Sequence, residues 1–417
     1  MSGLDLTSYD AALKYHYTDD TVENLSYYDN PLFALMPKME KFGGKALPIP
    51  IIYGNPQGRS GTFSRAQTNA ARTSTLVEDF LLTRAKDYSL ATIDNETLKA
   101  SESDVDAFMD ASTTEIDGCI QSLSNSIAQK MYRTGWGEVG QVGNSSVSVA
   151  YIDLVDIEDV TNIEVGMELV VAAALGTGNI RTVGSSTNGL IVTGVNRRSG
   201  RVAFAADIDD AADGIPAIAA NDYIFIRGDR QEASSPARIV LSGLEAWVPY
   251  GGPSATAFYG VDRTVDTRLG GQYLDGTDAP IEEVLTEAIG IVGREGGRLD
   301  HFFMPWDKWT DLENSLGSKV QYVDLMANAN IGFRGIMVNG PKGPVKCIAD
   351  RNCPTGRIHG LQMNVWKLYS LGKAVDVIDT DGLSMLRQSS EDGVEVRYGF
   401  YGNVGCRAPG WNVTIAV

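Results

Sequence analysis

Between positions 101 and 133, apolar residues recur at spacings of three and four, as on one face of an amphipathic helix. They stand at positions 105, 108, 109, 116, 120, 123, 127 and 131. Ser101 with Asp104, or Ser103 alone, provides the capping chemistry for the helix start. We therefore predict one spine helix of about 30 residues, roughly 45 Å long at 1.5 Å per residue.

Two strand-like stretches precede this helix, KALPIPIIYG from residue 45 and TLVEDFLLTRAKDYSLATI from residue 75. The polar segment between them is rich in Gly, Ser, Thr and Asn and is too long for a tight turn. The pattern predicts a long protruding hairpin over 45–100 with a mobile end. Because an isolated two-stranded ribbon is marginal in water, we expect a surface outside the hairpin to brace it.

Residues 1–44 carry several tyrosines, and Pro31 and Pro37 limit any helix between them. This composition indicates an extended arm whose aromatic side chains need a surface from elsewhere. The tyrosines are Tyr9, Tyr15, Tyr17, Tyr27 and Tyr28.

After the spine helix, short β-like runs with frequent glycine continue to about residue 230. They predict five or six strands, one hairpin turning at Arg198-Ser199-Gly200, and an inserted small β-barrel or sandwich. Residues 231–417 mix helices, APIEEVLTEAIGIVGREGG and DKWTDLENSLG, with strands such as LDHFFMP. The fold class predicted for the chain is α+β.

The net charge, the length of the apolar runs and the N-terminal sequence each bear on the surroundings in which the chain works. The 417 residues carry a formal net charge of -18, so direct DNA binding through phosphate neutralisation is improbable. The longest apolar run, LVVAAAL at 169–175, is far shorter than the roughly 20 residues of a membrane span. The N-terminus lacks the features of a secretory signal, so we expect synthesis in the cytoplasm.

Catalytic motifs are scarce. Three histidines leave little scope for His-based catalysis, and His301 is expected to be structural. The four cysteines have no zinc-ligand spacing, and we expect reduced, mostly buried thiols. No G-x-S-x-G or phosphate-loop motif is present, DTDG at 379–382 lacks the later carboxylate of a calcium loop, and RGD at 227–229 is an expected chance match. The sequence predicts no enzyme, cofactor or metal site.

Two segments of opposite charge stand out. Residues 55–76 contain basic but no acidic side chains, and residues 100–129 contain acidic but no basic ones. Docking of one segment on the other between copies of the chain would use this asymmetry, whereas two separately solvated surfaces would explain it equally well. The residues are Arg59, Arg65 and Arg72 in the first segment, and Glu102, Asp104, Asp106, Asp110, Glu115 and Asp117 in the second.

An arm, a long hairpin, a spine helix and an α+β body follow one another in the order found in major capsid proteins of tailed bacteriophages. The sequence resembles this family, with the Hong Kong 97-like shell fold, also in GLEAWVP at 243–249, FYGVDRT at 258–264, residues 274–317 and the closing YGFYGNVGCRAPGWNVTIAV. The domains that the resemblance implies are an N-terminal arm (1–44), an extended loop (45–100), the spine helix and start of the peripheral domain (101–148), an inserted β-rich domain (149–230), the peripheral domain (231–300 and 395–417) and an axial domain (301–394).

The resemblance implies a subunit whose pentamers and hexamers form an icosahedral capsid around double-stranded DNA. It implies a virion location after assembly in the host bacterial cytoplasm, and as partners a portal and decoration proteins. Because Met1 begins almost at the arm, a separate scaffolding protein is expected. No lysine lies between Lys45 and Lys86, so we expect no covalent cross-link at the hairpin tip.

Three alternatives remain open from the sequence. An encapsulin-like nanocompartment shell would share the fold and store enzymes instead of DNA. A hydrolase with an appended β-domain is disfavoured by the scarcity of histidine and the lack of a nucleophile motif. A glycan-binding role for the inserted domain is compatible with the capsid interpretation.

Overall fold

The computed structural model describes residues 26–27, 29–72, 74–94, 105–144, 149–181, 183, 189–317, 322–326, 332–378, 385–387 and 392–417. The helices are α1 (Pro31–Leu35), α2 (Phe63–Ala70), α3 (Val105–Lys130), α4 (Leu244–Trp247), α5 (Thr267–Gly270), α6 (Ile281–Arg294) and α7 (Trp306–Leu316). The strands are β1 (Lys38–Met39), β2 (Ala46–Gly54), β3 (Leu76–Thr83), β4 (Ala85–Asp94), β5 (Glu138–Gln141), β6 (Tyr151–Asp153), β7 (Glu168–Ala172), β8 (Leu190–Asn196), β9 (Arg201–Phe204), β10 (Tyr223–Ile226), β11 (Gln272–Asp275), β12 (His301–Met304), β13 (Tyr322–Met326), β14 (Gly332–Gly340), β15 (Gly343–Ala349), β16 (Arg357–Leu361), β17 (Trp366–Ser370), β18 (Asp376–Val377), β19 (Met385–Arg387), β20 (Gly393–Cys406) and β21 (Val413–Ala416).

The spine helix predicted from apolar periodicity is α3, which has 26 residues. Its buried side chains follow the expected spacing and join the largest apolar cluster of the described chain. They include Ile116, Ile120, Leu123 and Ile127. The helix packs against a six-stranded sheet in which the long strand β20 pairs with β4, β17, β18 and β19, and β1 lies parallel to β17.

The predicted hairpin is shorter than expected. Strand β2 pairs with β3 from Ala46↔Thr83 to Gly54↔Leu76, but β4 leaves the hairpin and pairs along its whole length with β20. The prediction that one hairpin extends over 45–100 is therefore wrong. The chain changes sheets at Arg84, whose guanidinium donates to the carbonyl of Phe42 at 3.3 Å.

The polar tip of the hairpin, for which the sequence analysis predicted no helix, contains α2. The Thr68 hydroxyl donates to the Ser64 carbonyl, and the Asn69 amide donates to the Arg59 carbonyl, so polar side chains bond locally around the helix. None of the side chains of α2 is buried within the chain.

The inner face of the hairpin has its bracing surface within the same chain. Ile49 and Phe80 are buried in the main apolar cluster. The Phe80 ring lies 5.2 Å from that of Trp247 and 6.1 Å from that of Phe258, measured between centroids. The expectation that an outside surface must brace the ribbon therefore does not apply to this face.

A β unit over residues 138–226 has its own apolar core, separate from the main cluster. Its six strands lie in the order β5-β10-β7-β8-β9-β6. Gly200, at φ 64°, turns the β8–β9 hairpin as the sequence predicts. The unit begins earlier than the predicted residue 149, because β5 pairs with β10 and closes its far edge.

A seven-stranded mixed sheet, ordered β11-β21-β16-β12-β15-β14-β13, forms the remaining layer. Helices α6 and α7 share its apolar cluster. Pro280 is the N-cap of α6, and Gly296, at φ 94°, follows its end. The predicted boundary at residue 300 falls between α6 and the strands that α6 covers. The predicted axial segment also includes β17 and β18, which pair in the spine-helix sheet.

The described part of the N-terminal segment is packed on its own subunit. Helix α1 fits between the two prolines, and Tyr27 is buried with its ring centroid 5.1 Å from that of Phe33. The Lys38 ammonium lies 4.1 Å from the Tyr27 ring centroid, a cation–π geometry. For Tyr27 the expected surface from elsewhere is thus supplied by neighbouring residues; Tyr9, Tyr15, Tyr17 and Tyr28 lie outside the described residues.

Candidate assembly surfaces

The outer face of the β2–β3 hairpin is apolar and exposed. Side chains alternate across a strand, so the same register that buries Ile49 opposite Phe80 turns Ile52 and its cross-strand partner Val77 outward. Ile52 is 64% exposed, and Phe63 on α2 is 79% exposed. Large apolar side chains clustered on one protruding element mark a contact surface for another molecule.

The basic residues predicted for this segment all lie on the hairpin tip. Arg59, Arg65 and Arg72 are exposed. Their guanidinium groups make no ion pair or hydrogen bond with the described residues. The tip therefore presents three exposed positive charges next to exposed apolar surface.

The acidic residues predicted to face them are only partly within the described residues. Glu102 and Asp104 lie outside, and Asp106 and Asp110 lie on the first turns of α3, where the backbone alone is described. Glu115 is exposed on the same helix. Among the described side chains, Glu115 makes no ion pair with the three arginines.

A buried lysine at the end of the spine helix was missed by the sequence analysis. The Lys130 ammonium contacts the carboxylates of Asp87 on β4 at 3.0 Å and of Asp229, just after β10, at 2.9 Å. Burial raises the pKa of Asp229, and Lys130 opposes that rise; the two carboxylates in turn raise the pKa of Lys130 against its own burial. This triad joins the spine helix, its sheet and the β unit.

A second polar seam, after the one formed by the Lys130 triad, joins the β unit both to Arg133, just after the spine helix, and to the loop between β15 and β16. Arg133 pairs with Asp159 of the β unit, and burial raises the pKa of Asp159 to about 6 even though Arg133 lowers it. The Thr355 hydroxyl donates to Asp156 at 2.8 Å across the same seam. Grooves of about 520 Å³ and 350 Å³ lie along the two seams and are lined by both polar and apolar side chains.

The side-chain contacts of the RGD tripeptide at 227–229 agree with its interpretation as a chance match. Arg227 pairs with Glu168 at 2.6 Å, and Asp229 belongs to the Lys130 triad. Both charged side chains of the tripeptide are therefore engaged within the β unit and its seam.

Asp350 holds the N-terminal segment on the subunit. Its buried carboxylate accepts from the Tyr132 hydroxyl at 2.7 Å, from the Leu32 amide at 3.3 Å and from the Asn352 amide at 2.9 Å. Burial raises the pKa of this carboxyl. One side chain thus links α1, the end of the spine helix and the loop after β15.

We expect Asp350→Ala to loosen α1. It leaves the Leu32 amide and the Tyr132 hydroxyl buried without their acceptor, at a cost of about 1–3 kcal/mol for each unsatisfied group. Limited proteolysis should cut near residues 26–36 several-fold faster than in the wild type. Asp350→Asn, which keeps an acceptor oxygen, is the control; equal cutting of Asp350→Ala and wild type would contradict the anchoring role.

The residues examined for catalysis have structural surroundings. The four cysteines are buried free thiols. Burial lowers the pKa of His301 and of His359 to about 4 each, so both imidazoles are neutral near pH 7. Within the described ranges, no three His, Cys, Asp or Glu side chains are grouped so that they could hold a metal ion; residues 379–382 lie outside these ranges.

None of the described helices combines sufficient length with sufficient apolar character to cross a bilayer.

Neither a family model nor a curated protein matches this chain. Solved structures do match over nearly its full length. The capsid asymmetric unit of cyanophage A-1(L) is 11% identical, with 93% of this chain and 92% of that chain covered and a TM-score of 0.45. The SrpI encapsulin complex of Synechococcus elongatus is 8% identical, with 100% and 96% covered and a TM-score of 0.44.

The phage G structure of major capsid and decoration proteins is 6% identical, with 91% of this chain and 86% of that chain covered and a TM-score of 0.39. The three structures that this chain is similar to are thus a cyanophage capsid, a phage assembly of major capsid and decoration proteins, and an encapsulin complex.

Proposed function

We propose that this chain is a structural subunit that assembles with copies of itself into a closed protein shell, the capsid of a tailed bacteriophage. The observation that carries the proposal is the hairpin, whose inner face is buried in its own subunit while its outer face and basic tip have no partner among the described residues. A protruding element of this kind is complete only when another molecule covers it.

The partner that fits the hairpin best is a second copy of the same chain. The tip carries three exposed arginines, and the chain as a whole has a net charge of -18. Copies of the chain therefore repel one another in general but attract at the tip, which favours one docking geometry over others. Apolar contact at Ile52 and Phe63 adds burial to this attraction.

The finer features of the proposal follow the capsid family. The spine helix with its six-stranded sheet would form the peripheral domain, the seven-stranded sheet with α6 and α7 the axial domain, and the β unit an inserted domain. Pentamers and hexamers would enclose double-stranded DNA in an icosahedral shell, with a separate scaffolding protein, a portal and decoration proteins as partners and the host cytoplasm as the place of assembly. An acidic shell would not adhere to the packaged genome.

Electron microscopy of the purified full chain, alone and with a co-expressed scaffolding protein, tests the proposal. Closed shells are the expected result, and DNA within particles recovered from infected cells would support the capsid role. Shells that contain a protein cargo and no DNA would assign the chain to the encapsulin class. A monomer at every concentration and with every scaffold tested would contradict the proposal.

A further inference from the structure

The two edges of the β2–β3 hairpin differ in their hydrogen-bonding capacity. Pro48 pairs with Leu81, and Pro50 pairs with Asp79. In an antiparallel ladder, pairs that exchange two hydrogen bonds alternate with pairs that exchange none, and proline has no N–H to exchange. Both proline pairs therefore exchange no hydrogen bond. The backbone nitrogen and carbonyl of Pro48 and of Pro50 face away from β3. This outer edge of β2 lacks two of its donors.

The same alternation turns the amides of Val77, Asp79 and Leu81 outward on the opposite edge. The outward direction of the Leu81 amide is seen in its hydrogen bond to the carbonyl of Tyr259, which lies outside the hairpin, at 3.2 Å. The amides of Val77 and Asp79 donate to no described residue. One edge of the hairpin is thus closed by proline, and the other is open from Val77 to Asp79.

We infer that this open edge of β3 accepts an extended strand from a second copy of the chain. The inference rests on the proposed self-assembly. It adds that a further strand joins the hairpin at the edge of β3 and not at the edge of β2. An open edge is a template for another strand, and proline is a common means of preventing such pairing. Closing β2 while leaving β3 open restricts strand addition to one side.

The flanking side chains favour a sister chain as the occupant. Residues 55–76, which adjoin the open edge, carry three arginines and no acidic residue, so they attract the acidic surface of a sister chain. Val77 and Leu81 are exposed beside the free amides and would contact the side chains of an added strand. Backbone bonds provide affinity in this mode of binding, and the adjacent side chains provide specificity.

Site-resolved hydrogen exchange on the full chain tests the inference directly. In the dissociated subunit, the Val77 and Asp79 amides should exchange quickly, whereas the Phe80 amide, which faces β2, should be protected. In assembled particles, exchange at Val77 and Asp79 should slow by about tenfold or more. Unchanged fast exchange at both amides in closed particles would overturn the inference.

A pair of substitutions at one position separates the amide from the side chain. Asp79→Pro removes the outward amide without removing a bond to β2, whereas Asp79→Ala removes the carboxylate and keeps the amide. We expect Asp79→Pro to lower the yield of particles about tenfold or more and Asp79→Ala to assemble as the wild type does. Equal assembly of both variants would contradict strand addition at this edge.

Folding and self-assembly are checked in the same series. Circular dichroism and the melting temperature of the dissociated Asp79→Pro subunit should match those of the wild type. If this subunit is misfolded, the Val77→Pro variant takes its place, with Val77→Ala as the control. Failure of the wild type to assemble would contradict the proposed function, whereas normal particles from the proline variants would contradict only the edge inference.

Discussion

Replacing Lys130 by methionine is expected to lower the free energy of unfolding by about 3–5 kcal/mol at pH 7. Methionine fills a similar volume but removes the cation that lies between the carboxylates of Asp87 and Asp229. Two carboxylates then share a buried site with no counter-charge, and the cost of an uncompensated buried charge exceeds that of most core truncations. Urea unfolding followed by tryptophan fluorescence measures the loss.

Lys308→Met is the matched control. Lys308 also pairs with an aspartate, Asp311 at 3.6 Å, but that carboxylate is 58% exposed. Exposed pairs contribute about 0–1 kcal/mol, so this variant should remain close to the wild type. If Lys130→Met were also within about 1 kcal/mol of the wild type, the triad would not hold the β unit against the spine helix as its geometry indicates.

The loss at Lys130 should depend on pH through Asp229. Burial already raises the pKa of this carboxyl, and Lys130 partly offsets the rise, so the variant raises it further. A carboxyl with a folded-state pKa above its unfolded-state value favours the folded state at low pH, and this advantage is lost as the pH rises through the folded-state pKa. The deficit of Lys130→Met should therefore be largest near pH 7 and decrease toward pH 5. Adding Asp229→Asn should recover part of the stability and reduce this pH dependence.

The elements that the sequence predicted well are those determined by local pattern. The spine helix has a three-and-four spacing that fixes its buried face, and α6 is bounded by Pro280 and Gly296. The β8–β9 turn at Gly200 requires a positive φ that glycine adopts readily. In each case the residues that define the element lie within one helix or one turn.

The elements that the sequence did not predict depend on distant partners. Alternation continues on both sides of Arg84, so strand periodicity cannot show that β3 pairs with β2 while β4 pairs with β20. Lys130 stands in the last turn of a helix, where an exposed lysine is common, and its partner Asp87 is 43 residues away in the chain. The basic tip could be identified from the sequence because the excess of arginine over acidic residues is visible in the composition of residues 55–76. The residues that these arginines contact could not be identified, because we propose that they belong to another copy of the chain.

Reversing the charge of the hairpin tip should prevent assembly while leaving the subunit folded. Arg59, Arg65 and Arg72 are exposed, and their substitution by glutamate removes no side-chain hydrogen bond or ion pair to the described residues. Between copies, three attractions become repulsions. At about 0.5–1 kcal/mol for each exposed pair, the change is about 1.5–3 kcal/mol for each contact, or about ten- to a hundredfold in affinity.

Two controls separate local from general charge effects. A triple Arg→Lys variant at the same positions keeps the charge and should still form particles, with a yield that falls as salt is added. Arg198, Arg294 and Arg407, which lie outside the hairpin, can be changed to glutamate to give the same net charge, -24, as the tip reversal, since each substitution changes the charge of -18 by two units. Particle yield by sedimentation and electron microscopy should fall only for the tip reversal. Normal particles from that variant would show that the arginines are simply solvated, and a loss of particles in both glutamate variants would attribute the effect to overall repulsion.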